Sequence, residues 1–300
     1  MLPAPLRLEL HPHTHPAAAA VKLSALEGPG WAARLNAHGH APLTDFALSE
    51  PFRLLDEPTA RAVRGVVRRQ YDGPCHYRTA RTSGSVRGCP ELEAAWGERG
   101  FRRAVERLAS ALAGIELAMI SMPLERAHVN AQRDAQSVPV DDWHDDSTPF
   151  VLVTVLTDHQ ADPGGALLVA RPAGQEPLRL KLRRPGEAIL MQGSQLRHCA
   201  QQSLTGERLT VVTSFVPAEP HLRDTTSMRV GVLFSPPGSA VTQYTRHMHS
   251  RLRRDASRAL AHLATDATEV ERMPLLSQWW EVTNPNARLK SPIADPYRRS

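Results

Sequence analysis

The chain has 300 residues, 41% hydrophobic and 22% charged, which is ordinary globular usage and enough for a full core without disulfides or a structural metal. Its formal charge is +5, yet nearly all of the positive charge is arginine, with lysine only at Lys22, Lys181 and Lys290, and the longest basic cluster, residues 251–254, falls in a predicted amphipathic helix. That pattern reads as a solvated helix face and argues against a nucleic-acid partner.

Three cysteines without a CxxC pair exclude a disulfide framework or a zinc ribbon. The start lacks a basic-then-apolar leader, and no apolar run approaches ~20 residues, so a cytoplasmic protein with no membrane span is expected.

Residues 1–24 hold His11-Pro-His-Thr-His-Pro16. The prolines bar a helix and no carboxylate accompanies the histidines, so a flexible tail is expected there and not a metal site. His38 and His40 fall in an expected turn. Residues 50–125 read as mainly helical, with apolar positions at helical spacing over 52–70 (Leu54, Leu55, Ala60, Val63, Val66, Val67) and over 101–112 (Phe101, Val105, Leu108, Leu112). Between these, residues 71–90 are rich in Gly, Ser, Thr and Arg, which predicts a loop that bears on substrate choice.

The texture changes after Gly114. Short β-like runs cover 116–122, 128–133, 150–156, 166–169, 178–182, 188–192 and 209–216, with Gly- and Pro-containing turns between them. The expected fold class is α+β, a double-stranded β-helix (jelly-roll) core with flanking N- and C-terminal helices. A single domain of residues 25–300 is expected: a helical part over 25–114, the jelly roll over 115–217, and a C-terminal extension over 218–300. That extension would hold an outer strand at 228–234 and a helix from 241 to 263.

The informative segment is Asp142-Trp-His-Asp-Asp146. His144 and Asp146 are two residues apart, so if they leave a strand together their side chains share one face. An imidazole and a carboxylate there provide two arms of a metal site. His198, 54 residues further on and just past a predicted strand, supplies the third. Two histidines and one carboxylate on one face of an octahedron leave three positions open, the arrangement of non-haem iron(II) oxygenases. Arg208 follows ten residues later and shares a strand face with Thr210. An arginine fork with a nearby hydroxyl suits the far carboxylate of a dicarboxylate such as 2-oxoglutarate.

This ordered set, His144-Asp-Asp146, then His198, then Arg208-Leu-Thr210, resembles the 2-oxoglutarate/iron(II)-dependent dioxygenase superfamily, over roughly residues 115–217. By texture the likeness is to the members that modify small molecules such as amino acids and natural-product intermediates. The resemblance implies Fe(II), 2-oxoglutarate and O2 as cofactor and co-substrates. It implies metal ligation by His144, Asp146 and His198, co-substrate anchoring by Arg208 and Thr210, and a polar contribution from Asn130 on the preceding strand. It further implies decarboxylation to succinate and CO2, coupled to oxidation of a substrate C–H bond, with hydroxylation as the default outcome. The retained Asp146 disfavours halogenation.

Plainer readings stand beside these. The acidic segment at 141–146 also suits a solvated turn, Arg208 a strand-edge salt bridge with Glu207, and Asn130 ordinary strand pairing. At the level of function, the alternatives are a cupin-like metal enzyme that does not use 2-oxoglutarate and a catalytically inactive jelly-roll binding or sensor protein. Substrate identity and oligomeric state are not legible in the sequence.

Overall fold

The structure is a computed structural model, and it describes residues 6–12, 19–28, 30–37, 39–77, 82–135, 139–219, 222–227 and 237–263. The chain opens with β1 (Ala20–Lys22), α1 (Leu23–Glu27), β2 (Phe46–Ser49) and β3 (Phe52–Arg53), then α2 (Glu57–Arg69), β4 (His76–Tyr77), β5 (Ser85–Val86), α3 (Pro90–Gly97) and α4 (Arg99–Ala113). Next come β6 (Leu117–Met119) and α5 (Pro123–Arg126). Eight strands follow: β7 (His128–Gln132), β8 (Asp141–His144), β9 (Phe150–Val155), β10 (Leu167–Val169), β11 (Leu178–Leu180), β12 (Glu187–Met191), β13 (His198–Ala200) and β14 (Arg208–Pro217). The last element is α6 (Pro237–Leu263).

The eight strands from β7 to β14 divide between two antiparallel sheets. The larger sheet contains the order β12-β9-β14-β7, and the smaller is β11-β10-β13-β8. The chain therefore changes sheet at every step except β10 to β11, which is the winding of a jelly roll. The larger sheet is extended by β1 and β2 at one edge and by β5 and β4 at the other. The α+β class and the jelly-roll core match the sequence reading.

Period-2 alternation sorts the side chains of the larger sheet. On β9, Phe150 and Leu152 join the cluster that includes Val63, Trp96, Leu108 and Leu112 of α2, α3 and α4. Val151, Val153 and Val155 instead join the cluster between the sheets, with Leu167, Ile189 and Met191. Each fully buried side chain of this size contributes about 1.5–3 kcal/mol. The helices thus back one sheet, and the other face of that sheet looks into the jelly roll.

Helix α2 begins later than the apolar periodicity over 52–70 suggests. Asp56 caps α2 by accepting from the Thr59 backbone N–H at 2.8 Å, while Phe52 and Arg53 pair with β12 as a strand. A strong capping carboxylate and Pro58 near the helix start outweigh the periodic apolar residues before them. The expected loop at 71–90 carries β4 and β5, and β5 pairs with β7. Strands of two residues are too short to leave an alternation in the sequence. Gly84 sits in this approach, where a Cβ would lie 2.7 Å from the Ala131 carbonyl oxygen, so the chain comes close only because the side chain is absent.

Part of the expected tail is built into the fold. Leu10 bridges Leu55, and β1 pairs with β2. His13, His15 and His38, the expected strand at 228–234 and the residues after 263 lie outside the described residues. His40 is in the expected turn, its backbone N–H donating to the Asn36 side chain at 2.9 Å. No described helix is long and apolar enough to cross a membrane. All three cysteines are free.

Candidate metal and co-substrate site

His144 ends β8, His198 starts β13, and the two are direct cross-strand partners in the smaller sheet. Their rings lie 4.3 Å apart, centroid to centroid. Asp146 follows two residues after His144 and is pinned by its backbone N–H, which donates to the Gly193 carbonyl at 3.0 Å. Its carboxylate reaches both rings, with Oδ1 3.5 Å from His144 Nε2 and Oδ2 3.6 Å from His198 Nε2. One ligand atom from each of the three residues falls within 4.8 Å of the others. Gly193 makes room for this: a Cβ there would sit 2.1 Å from Asp146 Oδ2.

The ring nitrogens on the far side are engaged by backbone carbonyls. His144 Nδ1 lies 2.5 Å from the Asp142 oxygen, and His198 Nδ1 lies 2.7 Å from the Leu196 oxygen. A carbonyl only accepts, so each Nδ1 carries a proton, and in the neutral ring Nε2, on the Asp146 side, is the atom with a lone pair for a metal. Burial pushes the His198 pKa down, outweighing the attraction of Asp146, which keeps the imidazole neutral. Two imidazole Nε2 atoms and a carboxylate oxygen, converging on rings held by their Nδ1 contacts, fit a divalent transition metal.

Arg208 and Thr210 stand on the inner face of β14 and line the same pocket as the three residues above. Arg208 is 2% exposed. Its Nε donates a long bond of 3.4 Å to the Gly165 oxygen, and its Nη1 has no hydrogen-bond partner among the described residues. Burial lowers its pKa to about 10, against the pull of the Asp141 and Asp162 carboxylates, so the guanidinium remains charged near neutral pH. Glu207 does not neutralise it. That carboxylate turns to the other face, where Arg68 donates to it at 2.7 Å and Tyr71 Oη at 2.8 Å. Behind the arginine, burial and then the charge of Arg208 depress the pKa of His159, which sits between Thr157 and Asp162.

Asn130, opposite Thr210 on β7, also lines the pocket, and its Nδ2 donates to Asp141 Oδ2 at 3.3 Å. Gln132, one alternation further, is a structural anchor instead. Its amide holds the carbonyls of Ser203 and Gly206 before β14. Asp145 borders the pocket but stands outside the close three-residue set. Arg197 is exposed, and Trp143 is not among the residues lining the pocket. Cys199 is buried, which raises its thiol pKa to about 11 and makes it a neutral packing residue.

Three charged pocket residues escaped the sequence reading: Asp141, Glu125 and Arg87. Asp141 is three residues before His144, so strict alternation puts them on opposite faces. The strand is bulged. His198 and Ala200, two apart on β13, pair with His144 and Asp141, three apart on β8. The extra residue turns both side chains inward, and Asp141 Oδ2 comes within 3.5 Å of His144 Nε2. The doubled acid at 141–142 was the only local signal. Glu125 and Arg87 arrive through α5 and the β5–β7 pairing, which no local pattern announces.

No protein-family model and no curated protein matches the chain. Among solved structures it is similar to an oxidoreductase of the 2OG-Fe(II) oxygenase family from Burkholderia pseudomallei, at 17% identity and a TM-score of 0.39, over 55% of this chain and 83% of that one. It is similar to the non-haem alpha-ketoglutarate-dependent epimerase SnoN from nogalamycin biosynthesis, at 17% identity and a TM-score of 0.42, over 57% and 79%. The third likeness is to prolyl 4-hydroxylases from Phytophthora capsici, at 14% identity and a TM-score of 0.44, over 81% of this chain and 83% of that one.

Proposed function

We propose that this chain is an iron(II)- and 2-oxoglutarate-dependent oxygenase that oxidises, by default hydroxylates, an unactivated C–H bond of a small molecule such as an amino acid or natural-product intermediate and releases succinate and CO2. The observation that carries this reading is the Arg208 guanidinium. It is buried and charged, has an Nη1 without a hydrogen-bond partner among the described residues, and opens into the pocket that holds two histidines and a carboxylate. A buried charge without a bonded counter-charge is costly. A site that keeps one next to a metal-ligand set is built for an anion that also reaches the metal.

The residues divide the work as follows. His144, Asp146 and His198 would hold the iron, with Asp142 and Leu196 carbonyls fixing the ring orientation. Iron with bound 2-oxoglutarate and O2 supplies the oxidising chemistry. Arg208 would bind the distal carboxylate of 2-oxoglutarate with Thr210 assisting, and Asn130 borders the same end. Val151, Val153 and Val212 line the pocket with aliphatic surface, which keeps water from the reacting centre. A cupin-type metal enzyme would need neither Arg208 nor Thr210.

The test is substrate-free turnover of 2-oxoglutarate, followed as succinate release. We expect release that needs iron(II) and O2 and disappears with a chelator. Succinate formation independent of iron, or no consumption of 2-oxoglutarate under any condition, sinks the reading.

A further inference from the structure

Thr157, His159 and Asp162, in the turn that follows β9, are buried but do not line the cavity. They form a chain of bonds behind Arg208. His159 Nδ1 lies 3.2 Å from Asp162 Oδ2, and its Nε2 lies 2.8 Å from the Thr157 hydroxyl. A carboxylate only accepts, so Nδ1 carries a proton, and in the neutral ring Nε2 accepts from Thr157. The imidazole is thus held at both nitrogens.

Both ends of this chain reach the arginine. Thr157 Oγ1 accepts from the Leu209 backbone N–H at 3.1 Å, which fixes β14 one residue after Arg208. Asp162 Oδ1 accepts from the backbone N–H groups of Gly164 at 2.8 Å and Leu204 at 3.1 Å, which shapes the turn leading to Gly165. Gly165 has a φ of 71°, its N–H donates to the Gln202 carbonyl at 2.7 Å, and its own carbonyl accepts from Arg208 Nε. A Cβ on Gly165 would lie 3.1 Å from Asp162 Oδ2 and 3.2 Å from His159 Nδ1, so this glycine rests on the imidazole. The ring therefore sets where the oxygen that takes Arg208 Nε stands.

The same contact carries charge. Around the ring are the Arg208 guanidinium on β14, the Asp162 and Asp158 carboxylates of its own turn, and Lys181, whose ammonium donates to the Asp162 carbonyl. Arg183, whose carbonyl accepts from the His159 N–H, is exposed. Burial, and after it the Arg208 charge, hold the His159 pKa below its ordinary value, against the pull of the two carboxylates. A carboxylate bound at Arg208 cancels part of that charge and so raises the His159 pKa. Binding then draws a proton onto the ring, and affinity increases as pH falls below about 6.5.

We infer that His159 is a positioning residue for the Arg208 anchor: it fixes the Gly165 carbonyl and the start of β14 around the guanidinium, and it takes up a proton when a carboxylate binds there. That the carboxylate is the far end of 2-oxoglutarate rests on the oxygenase reading.

The experiment is calorimetric titration of 2-oxoglutarate into the whole chain with iron(II) under nitrogen, in pairs of buffers that differ in ionisation enthalpy. Net proton uptake is expected at about pH 5.5 and none at about pH 8. Affinity should rise about twofold or more between about pH 8 and about pH 5.5. His159→Asn keeps an amide donor for Asp162 and removes the titrating ring. It should abolish the uptake and the pH trend, and weaken 2-oxoglutarate about twofold to tenfold at about pH 8, with iron binding unchanged. A role in folding alone would lower stability and leave the proton count where it was. Gly165→Ala serves if circular dichroism shows His159→Asn unfolded. Its Cβ parts the ring from the carbonyl, so 2-oxoglutarate should weaken about twofold to tenfold while iron binding holds. The same uptake in His159→Asn, or unaltered affinity in Gly165→Ala, overturns the inference. Wild-type binding without proton uptake sinks this inference alone. Binding with uptake but without iron-dependent succinate release sinks the oxygenase reading and leaves this one standing. No binding at any pH sinks both.

Discussion

On one face of β14, Leu209, Val211, Thr213 and Phe215 turn toward the helices; on the other, Arg208, Thr210, Val212 and Ser214 turn into the pocket. All eight are 6% exposed or less. Burial is the same and content is opposite, so burial alone does not explain either face. The helix face has one polar side chain, Thr213, and its hydroxyl is matched by the Trp96 indole N–H at 2.8 Å. The pocket face has three, and Arg208 keeps an unmatched donor. Unmatched buried polar groups destabilise a fold. A strand that tolerates one such group on one side and none on the other divides an open, charged face from a packed one within a single run of ten residues.

The largest effect tests whether the pocket face is dispensable to the fold. His144→Ala, Asp146→Ala and His198→Ala are each expected to abolish turnover and to lower iron stoichiometry toward zero, while far-UV circular dichroism is unchanged. Activity near wild type in any one removes that residue from the metal site. Gly193→Ala should act in the same direction without replacing a ligand, because its Cβ displaces Asp146 Oδ2.

These residues could be picked from the sequence for a physical reason. A metal set and an arginine anchor at strand ends need only period-2 geometry and ligand chemistry, both of which are local. His144, Asp146, Arg208 and Thr210 obey that geometry, and His198 needed only a count of the strands between. Asp141 broke the rule because of a one-residue bulge. Arg87 and Glu125 depend on pairing between β5 and β7 across 43 residues of register, where the helices α3 and α4 intervene. Helix α2 showed the reverse failure: its periodicity was real, but the Asp56 cap set its start. Long-range pairing and single-residue irregularities leave no periodic trace, and they shape the end of this pocket away from Arg208.

The opposite face gives the next effect. Phe215→Ala removes a fully buried ring from the contact with the helices and should cost about 3–5 kcal/mol of stability. Chemical denaturation measures that cost. The 2-oxoglutarate affinity of the folded fraction should be unchanged. An affinity loss as large as the stability loss would mean that the two faces are coupled and that the division drawn above is wrong.

Arg208 comes third. Arg208→Ala removes a charge-assisted bond of about 1.5–3 kcal/mol, so the apparent constant for 2-oxoglutarate should rise about tenfold to a hundredfold. Arg208→Lys retains charge without the fork and should raise it by about one order of magnitude. Iron binding, read in the absence of 2-oxoglutarate, should hardly move in either. Unaltered 2-oxoglutarate dependence in Arg208→Ala removes the anchor assignment.

The smallest effect is the most direct comparison, because the same substitution is made on both faces of the same strand. Thr210 and Thr213 are both under 3% exposed, and Thr→Val nearly preserves shape while deleting a hydroxyl. In Thr210→Val the lost group faces the pocket. One hydrogen bond to the co-substrate disappears, worth about 0.5–1.5 kcal/mol, so 2-oxoglutarate affinity should fall about twofold to tenfold. The ligand-free protein should be no less stable, since a buried polar group has been replaced by an apolar one. In Thr213→Val the acceptor of the Trp96 indole is lost. That N–H is then buried without a partner, at a cost of about 1–3 kcal/mol, while 2-oxoglutarate affinity stays at the wild-type value. Denaturation midpoints and 2-oxoglutarate titrations on the two variants give four numbers, and the expected pattern is a crossed one. Parallel losses in both properties for both variants would show that β14 responds as one unit, and that its two faces are not separate devices for stability and for binding.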